Sequence, residues 1–553
     1  MSLDNISSKI QRYLAGHPQD PAPSTTDQTG DKRVDELQEK IKVLEQSNAE
    51  LQAKVNWYEE QLRLNAQRRF GSSSEKVFPE QVSLFNEAEE TADPKIEEPS
   101  IETITYKRRK RTPGDVADKL EDLPVETVVH DIPESERICP KCGEPLHEMS
   151  IQIRRELKVI PAQVVVVEHQ QPIYTCRNCE RHADDEQASV PVIKAEMPKP
   201  CLPKTIASAS LVAFIIDQKY TYGLPLYRLE QQFRRFDVDL SRQTLSNWLI
   251  AAATKWCKPL YDRMHTLLLN RSVIHADETP LQVLREKDRP AQAQSRMWLY
   301  RSGARDGPPI ILYEYTQDRS GRNPKRFLKD FHGYLQVDAY SGYNQVDDVV
   351  LVLCFAHARR QFTDALKALP APLRNKDVAA KKGLQYCDAL YHVEHQLSGC
   401  TDEERYEKRL ELSRPILDDF HAWLLQIKPD VLPRSQFGQG VQYCLNNWEG
   451  LTHYLLDGRL EIDNNSAERA IKPFVMGRKA WLFSNTPKGA ESSAILYSIV
   501  ETAKGNRLKP YPYLVWLFEQ MPNANITDVN VLDSFLPFSE SIPQDCRMPS
   551  SKK

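Results

Sequence analysis

The chain has 553 residues, of which 40% are hydrophobic and 27% are charged, and its formal net charge is -4. This length exceeds what a single hydrophobic core usually holds and predicts three or four folded units. The sequence has no apolar run of the roughly 18 residues that a membrane span needs, and no basic-then-apolar signal segment at its start. We therefore expect a cytoplasmic protein with no membrane partner.

The charges are unevenly distributed in the N-terminal third. Between Glu75 and Thr105 nine acidic residues outnumber two lysines, whereas every residue of Lys107–Arg111 is basic. Because an acidic segment masks basic segments in the sum, the small net charge does not exclude a nucleic-acid partner. The basic run is equally consistent with a solvated linker.

A seven-residue repeat of apolar residues begins at Val34 and continues to Leu62. Branched residues at the first core position and leucine at the second favour a parallel two-stranded coiled coil. Asn48 interrupts the first position, and a buried asparagine pairs well only with its twin in a registered dimer. The repeat predicts a homodimer, with an amphipathic helix packed on its own chain as the alternative.

Two CxxC pairs follow, Cys139 with Cys142 and Cys176 with Cys179. In a cytosolic protein such pairs indicate a metal site rather than disulfides. Zinc takes four ligands in a tetrahedron, and each pair offers two sulfurs from one tight turn. The segment between the pairs alternates as β-hairpins do. The sequence therefore predicts a zinc ribbon with a closed, structural Zn²⁺ site.

Residues 204–254 change to helical spacing and predict three short helices, the last capped by Ser241. A tight connection before the third helix favours a helix-turn-helix unit, whose third helix would enter the major groove of DNA. The polar residues that would contact bases are Arg242, Gln243 and Asn247.

Five strand-like runs occupy residues 272–357, and residues 358–455 are helical and charged without strand runs. Helical patterns then return, among them the apolar segment Glu491–Asn506. Five strands, a helical interruption and returning helices predict an α/β domain with an insertion.

Three carboxylates of this domain are candidates for a metal site. Asp277 and Asp338 each end an apolar run, where propensity does not favour an acid, and Glu468 falls in the first turn of a helix that Asn465 or Ser466 would cap. At one sheet edge the three would suit Mg²⁺ or Mn²⁺. Two such ions can clamp the attacking and leaving oxygens in phosphodiester cleavage. Taken singly, each acid is as easily a turn or cap residue.

Seven longer motifs occur in order: RRFGSSSEK, CPKCG, LPLYRLE, HADETP, VDAYSGY, CFAHARRQF and NNSAERAIKPFVMGRKAWLF. In these motifs the chain resembles the insertion-sequence-66 family of bacterial transposases, from the coiled coil to about Phe518. The resemblance implies a DDE active site formed by Asp277, Asp338 and Glu468 on an RNase H-like fold, with the helical block as an insertion. Departures from the family pattern at Lys472 and Ala480 touch no catalytic position.

The resemblance also implies the partners and the reaction. The partners would be the terminal inverted repeats of the element, target DNA and small accessory proteins, and the protein would be associated with the nucleoid. Cleavage would leave a free 3′-hydroxyl at the element's end. This hydroxyl would then attack target DNA and join the strand to it.

Cys354 and His357 look like the CxxH signature that accompanies such insertions, although chemistry alone allows a weak metal pair or buried core residues. Basic residues near the motifs are predicted phosphate contacts, with ordinary surface charge as the alternative. They are Arg359, Arg360, Arg469, Lys472, Arg478 and Lys479. Base stacking by Trp298 and Trp481 is less favoured than core packing.

The predicted fold is therefore a multidomain α+β chain. Its segments are a flexible N-terminus (1–30), a dimerising coiled coil (31–70), an acidic and basic linker (71–115), a zinc ribbon (116–197), a helix-turn-helix domain (198–255), an RNase H-like α/β catalytic domain in two parts (256–357 and 456–520), its α-helical insertion (358–455) and a C-terminal tail (521–553). One alternative is a dimeric DNA-binding regulator with an inactive nuclease-like domain, against which the intact triad argues. The other is a nuclease without strand transfer.

Overall fold

The structure, a computed structural model, describes residues 127, 141, 144, 162–177, 192–370, 374 and 378–549. The described residues from 167 onward belong to one compact unit, which holds every element named below, and those from 127 to 166 belong to a second. The predicted coiled coil, the linker and Cys139, Cys142 and Cys179 lie outside the described residues. Within the described part of the chain, no helix is long and apolar enough to cross a membrane.

Two short strands come first, β1 (Ile173–Thr175) and β2 (Val192–Lys194). They pair in antiparallel register, with Ile173 opposite Lys194, and their side chains are exposed. The predicted hairpin between the CxxC pairs is not seen in the described part of that segment: residues 162–172 have no regular structure, and β1 pairs with β2, which lies beyond the second pair.

Three helices follow, as the sequence predicts: α1 (Ala209–Tyr220), α2 (Leu226–Arg234) and α3 (Arg242–Ala252). Ser241 caps α3, because its hydroxyl accepts a hydrogen bond from the backbone N–H of Thr244 at 3.1 Å. α3 continues through a π-helical turn, Ala253–Cys257, into α4 (Lys258–Leu269).

All five predicted strands are present and form one mixed sheet. They are β3 (Val273–Gln282), β4 (Gln294–Ser302), β5 (Ile311–Thr316), β6 (Gly333–Val337) and β7 (Val349–Leu353). The strand order is β5-β4-β3-β6-β7, antiparallel from β5 to β3 and parallel from β3 to β7. Helix α5 (Arg322–Phe327) lies between β5 and β6, and a 3₁₀ turn, Ser341–Gln345, lies between β6 and β7.

The charged segment after β7 is helical in every described residue that has regular structure between 354 and 457. Its helices are α6 (Phe355–Ala368), α7 (Ala379–Gln396), α8 (Asp402–Ile427), α9 (Gln436–Asn446) and α10 (Trp448–Thr452), with 3₁₀ turns at Lys428–Asp430 and His453–Leu456. Glu394 of α7 accepts hydrogen bonds from Arg405 and Arg409 of α8, each at 2.7 Å, and we call this group the arginine clamp.

The chain then returns to the sheet with α11 (Asn465–Trp481) and α12 (Pro487–Gly505). α12 covers the edge strand β5. The hydroxyl of Ser498 accepts from the N–H of Tyr313 at 2.8 Å, and that of Thr502 accepts from the N–H of Ile311 at 3.0 Å. These bonds satisfy backbone groups that an open sheet edge would leave unpaired.

The segment assigned to a C-terminal tail is folded from residue 521 to 549, after α13 (Pro510–Gln520), and contains α14 (Val529–Asp533) with 3₁₀ turns at Met521–Asn523 and Gln544–Cys546. Leu532 and Phe535 are buried, and Asp533 forms a salt bridge of 2.7 Å with Arg263 of α4. Its apolar residues are too few and too irregularly spaced to give a periodic signal, which is why the sequence did not reveal this packing.

Candidate active site

The three predicted carboxylates come together at one edge of the sheet. β3 and β6 pair in parallel only as far as His275 and Gln336. Asp277 and Asp338 each lie two residues beyond that pair, so they emerge side by side. Glu468 lies in the first turn of α11 above them. Burial raises the pKa of Asp277 well above its ordinary value, and the neighbouring charges of Glu278, Asp338 and Glu468 raise it further.

Asp277 ends an apolar run, but it lies inside its strand and not at the end of it. β3 continues to Gln282, and Asp277 pairs with Leu299 in the antiparallel ladder with β4. Only the pairing with β6 stops before it. The carboxylate therefore sits on a rigid strand and not on a loop, which holds it in a fixed position.

The oxygens of Asp277 and Asp338 are only partly engaged by the protein. Asp277 Oδ1 accepts from the N–H of Glu278 at 2.8 Å, whereas its Oδ2 is buried and accepts no hydrogen bond from any described residue. Asp338 Oδ1 accepts from the N–H of Tyr340 at 3.0 Å, and burial raises the pKa of Asp338 too. A buried carboxylate oxygen with no donor is unfavourable unless a cation approaches it. The site thus fits a hard divalent cation.

Glu278, the residue after Asp277, is fully engaged. Its Oε2 accepts from the hydroxyl of Tyr343 at 2.9 Å, and its Oε1 accepts from Nε of Arg319 at 2.7 Å and lies 2.6 Å from Nη2 in the same salt bridge. Burial and the charge of Asp338 raise its pKa, and Arg319 opposes this increase. Glu278 is consequently an anchor for Arg319, in contrast to Asp277. Nothing in the sequence points to Arg319, because it is a loop arginine whose partner lies 41 positions away.

Asn464, just before α11, ties this helix to β3. Its Nδ2 donates to the carbonyl of Ala276 at 2.8 Å, and its Oδ1 lies 2.9 Å from Nδ1 of His275. Its backbone N–H donates to Sγ of Cys354 at 3.1 Å. The predicted caps of α11, Asn465 and Ser466, are wrong. The helix begins after Asn464 without a side-chain cap, because the polar side chains here bond neighbouring segments instead.

The CxxH pair lies beside the third carboxylate. One ligand atom from each of Cys354, His357 and Glu468 falls within 4.8 Å of the others. Cys354 is completely buried, and burial raises the pKa of its thiol to about 12. A protonated, buried thiol favours the interpretation of Cys354 as a core residue that supports the start of α11. His357 lies one turn further along, at the beginning of α6.

The predicted DNA contacts lie in different environments. Those with exposed side chains are Arg242, Gln243, Asn247, Arg359, Arg469, Lys472 and Lys479, whereas Arg360 is half-buried. Arg359 forms a salt bridge of 2.7 Å with Asp388. Trp298 is fully buried, with its Nε1 donating to Thr316 at 2.8 Å, so its predicted core role is confirmed. Trp481 is half-buried, with Nζ of Lys219 at 5.2 Å from its ring centroid.

Arg478 differs from the expectation for a phosphate contact. Its side chain is buried, and Nη1 donates to Oγ1 of Thr279 at 3.1 Å. Burial lowers the pKa of its guanidinium to about 10. Arg478 therefore holds α11 against β3. Its position in the apolar face of the helix, next to Phe474 and Val475, explains why it points inward.

Comparison with known families identifies the chain. Residues 204–492 match the model of the "Transposase IS66 family", a range that contains the three carboxylates and the CxxH pair. The chain belongs to this family. The predicted resemblance is confirmed, and the chain is a transposase of the DDE type by family.

Three further models of the same family match along the chain. Residues 136–180 match the "zinc-finger binding domain of transposase IS66", which covers all four predicted zinc ligands. Residues 57–128 match "Transposase C of IS166 homeodomain", and residues 498–538 match the "IS66 C-terminal element". Of the four cysteines the structure describes Cys176, which is exposed directly after β1. The zinc-finger prediction is confirmed at the level of the family, and the folded segment beyond residue 520 overlaps the C-terminal element.

Relatives in Sinorhizobium fredii are similar over most of their length. The uncharacterized protein y4jD is 31% identical over 74% of this chain and 78% of its own. The uncharacterized protein y4hP is 27% identical over 77% of each chain. Among solved structures, the Drosophila P element transposase strand transfer complex aligns at a TM-score of 0.34 and 12% identity, covering 54% of this chain and 92% of that one. That likeness is too small to support a conclusion about fold.

Proposed function

We propose that this IS66-family transposase cleaves the ends of a bacterial insertion sequence and transfers them into target DNA at Asp277, Asp338 and Glu468. The observation that carries this proposal is the charge imbalance at the sheet edge. Asp277 keeps a buried oxygen without a donor while three other carboxylates raise its pKa. Clefts with such perturbed groups are typical of functional sites.

The acidic residues are suited to divalent cations, Mg²⁺ or Mn²⁺. Asp277, Asp338 and Glu468 would hold them, while Glu278 remains bonded to Arg319 and Tyr343. Bound there, the cations would activate an attacking hydroxyl and stabilise charge on the phosphate. The mixed sheet, with Asp277 and Asp338 just beyond the parallel pairing of β3 and β6, supports an RNase H-like catalytic domain.

The chain's own residues keep the site rigid. Asn464 joins the start of α11 to β3, and Gln336 of β6 donates to the carbonyl of Asp463 at 3.1 Å. Both contacts fix the first turn of α11, and therefore Glu468, relative to the two aspartates. Such positioning matters because small displacements of catalytic groups reduce rates strongly.

The remaining units would bind DNA and assemble the protein. The exposed residues Arg242, Gln243 and Asn247 of α3 support a helix-turn-helix that reads the terminal repeats. Exposed basic residues of α6 and α11 would contact phosphates near the site. Cys139, Cys142, Cys176 and Cys179 would hold a structural Zn²⁺ ion, and the coiled coil of residues 31–70 would pair two protomers so that two DNA ends lie together.

The decisive experiment follows cleavage and joining of a labelled terminal-repeat DNA with Mg²⁺, accessory proteins being supplied. Wild type is compared with Asp338→Ala and with Asp347→Ala, a control in an exposed carboxylate that accepts a hydrogen bond from Lys325 at 3.0 Å. We expect joined product from wild type and the control, and a loss of about 10³-fold or more, at least ~4 kcal/mol, in Asp338→Ala.

Other outcomes would favour the rival functions. Cleaved ends without any joined target would indicate a nuclease that lacks strand transfer. DNA binding by all three proteins with cleavage by none would overturn the proposal and favour a regulator with an inactive nuclease-like domain.

A further inference from the structure

Arg319 is a positively charged side chain held beside four carboxylates, Asp277, Glu278, Asp338 and Glu468, which we call the acidic cluster. It lies in the loop between β5 and α5. Nε donates to Oε1 of Glu278 at 2.7 Å, and Nη2 forms a salt-bridge contact of 2.6 Å with the same oxygen. The guanidinium carbon lies 4.0 Å from the ring centroid of Tyr340, whose hydroxyl also donates to the backbone carbonyl of Arg319. Three contacts therefore fix one edge and one face of the guanidinium.

The opposite edge of the guanidinium is not used by the protein. The side chain is 41% exposed, and Nη1 forms no hydrogen bond with any residue that the structure describes. Arg319 is nevertheless close to the catalytic carboxylates, because its charge opposes the increase in the pKa of Asp338. An anchored arginine with a free edge thus faces solvent beside the site.

A purely structural ion pair would not need this free edge. A guanidinium whose role is only to neutralise Glu278 could use its other N–H groups to bond backbone carbonyls. Arg409 does so in the arginine clamp, where it donates to the carbonyls of Tyr454 and Leu460. Planar guanidinium groups with free N–H donors bind phosphate oxygens in a defined geometry. A fixed guanidinium also loses little conformational entropy when it binds.

We propose that Arg319 binds a non-bridging oxygen of a DNA phosphate at the cleavage site, and that Glu278 serves to hold Arg319 rather than a metal ion. The inference rests on the proposed function, since it assumes that DNA lies across the three carboxylates. Arg319 would position the DNA backbone relative to Asp338. Arg322, the first residue of α5, is held less firmly: its side chain is 81% exposed and its Nη2 lies 3.9 Å from Oδ2 of Asp318.

The first test measures binding of terminal-repeat DNA in EDTA over a range of salt concentrations. Loss of one phosphate contact should lower the slope of log K against log salt by about 0.9. We expect this change for Arg319→Ala and not for the matched control Arg322→Ala. Arg319→Lys keeps a charge and should keep the slope. Thermal melting of each variant establishes that it folds, and equal slopes for wild type and Arg319→Ala would overturn the proposal.

The second test uses DNA in which single phosphates around the cleavage position are replaced by neutral methylphosphonates. At the contacted phosphate, the replacement should slow wild type about 10²-fold and leave Arg319→Ala no slower than it is on unmodified DNA. If the rate decrease caused by Arg319→Ala and the rate decrease caused by each methylphosphonate multiply, Arg319 does not contact a phosphate and its role is structural. If wild type itself does not cleave, the proposed function fails, while the metal-free binding slopes still decide whether Arg319 contacts DNA.

Discussion

Two buried groups of charged residues differ in how their charges are balanced. In the arginine clamp, Glu394 is bonded by both Arg405 and Arg409. Burial alone would raise the pKa of Glu394, but the two guanidinium groups lower it below its ordinary value. In the acidic cluster, burial raises the pKa of Asp277, and the adjacent carboxylates raise it further.

The difference separates a structural group from a functional one. Arg409 also donates to the carbonyls of Tyr454 and Leu460, each at 2.8 Å, and both oxygens of Glu394 accept from the two arginines, so the charge of Glu394 is balanced by the protein alone. It fastens the segment that leads into α11. The acidic cluster is left with excess negative charge, and protonation or an added cation reduces the repulsion. Burial is shared by both groups, whereas charge balance distinguishes them.

The largest effect on stability is expected from breaking the clamp. Arg409→Ala would leave Glu394 buried with one partner fewer and three carbonyls without their donor. We expect a loss of about 3–5 kcal/mol, measured by thermal or urea unfolding. Arg414→Ala, an exposed arginine on the same helix, is the control and should change stability by less than about 0.5 kcal/mol. Equal melting of the two variants would contradict the role given to the clamp.

A divalent cation should have the opposite effect on the acidic cluster. Mg²⁺ or Mn²⁺ at one hundred times its Kd should stabilise the folded protein by about 2.7 kcal/mol. At one fixed cation concentration, the increase in Tm should be larger at pH 8 than at pH 6. The reason is that the cation must displace protons from carboxyl groups whose pKa values are raised. Asp338→Asn should abolish most of this increase. A cation effect that is the same at both pH values and in the variant would place the binding elsewhere.

Asp277→Asn should stabilise the metal-free protein. The folded pKa of Asp277 is raised, so its contribution to stability is present below its unfolded pKa and is lost as the pH rises through the folded pKa. Neutral asparagine removes this loss. We expect a gain on the order of 1 kcal/mol at pH 8 that disappears near pH 4, measured by Tm in EDTA. Destabilisation at pH 8 would mean that Asp277 is held by contacts like those of Glu394.

The sequence predicted the five strands of the sheet, and the three carboxylates that it singled out lie near one another in the structure. The strands are runs of apolar residues, and Asp277 and Asp338 stand out because acids rarely follow such runs. The order of the motifs then identified the family. These features are local or depend on motif order, so they can be recognised without knowledge of tertiary contacts.

Features that depend on distant contacts were not predictable. Arg409 lies in a charged helical segment and would be assigned to the surface, yet it is completely buried. Arg478 was assigned to DNA and instead packs against Thr279, 199 positions away. Arg319 gave no signal at all. In each case the deciding partner is remote in sequence, and no periodicity points to it.

The smallest effect on stability is expected for Arg359, which provides a surface pair for comparison with the clamp. Arg359 and Asp388 are 2.7 Å apart, and their side chains are 44% and 49% exposed. Such pairs contribute at most about 0.5 kcal/mol, so Arg359→Ala should leave the Tm almost unchanged. Because Arg359 is a proposed phosphate contact, Arg359→Ala should also lower the slope of log K against log salt for DNA binding by about 0.9. Asp388→Ala breaks the same pair but keeps the cation, and should not weaken binding. If Arg359→Ala instead lowered the Tm by several degrees with unchanged binding, Arg359 would belong with the clamp arginines, and exposure would no longer separate DNA contacts from structural pairs in this insertion.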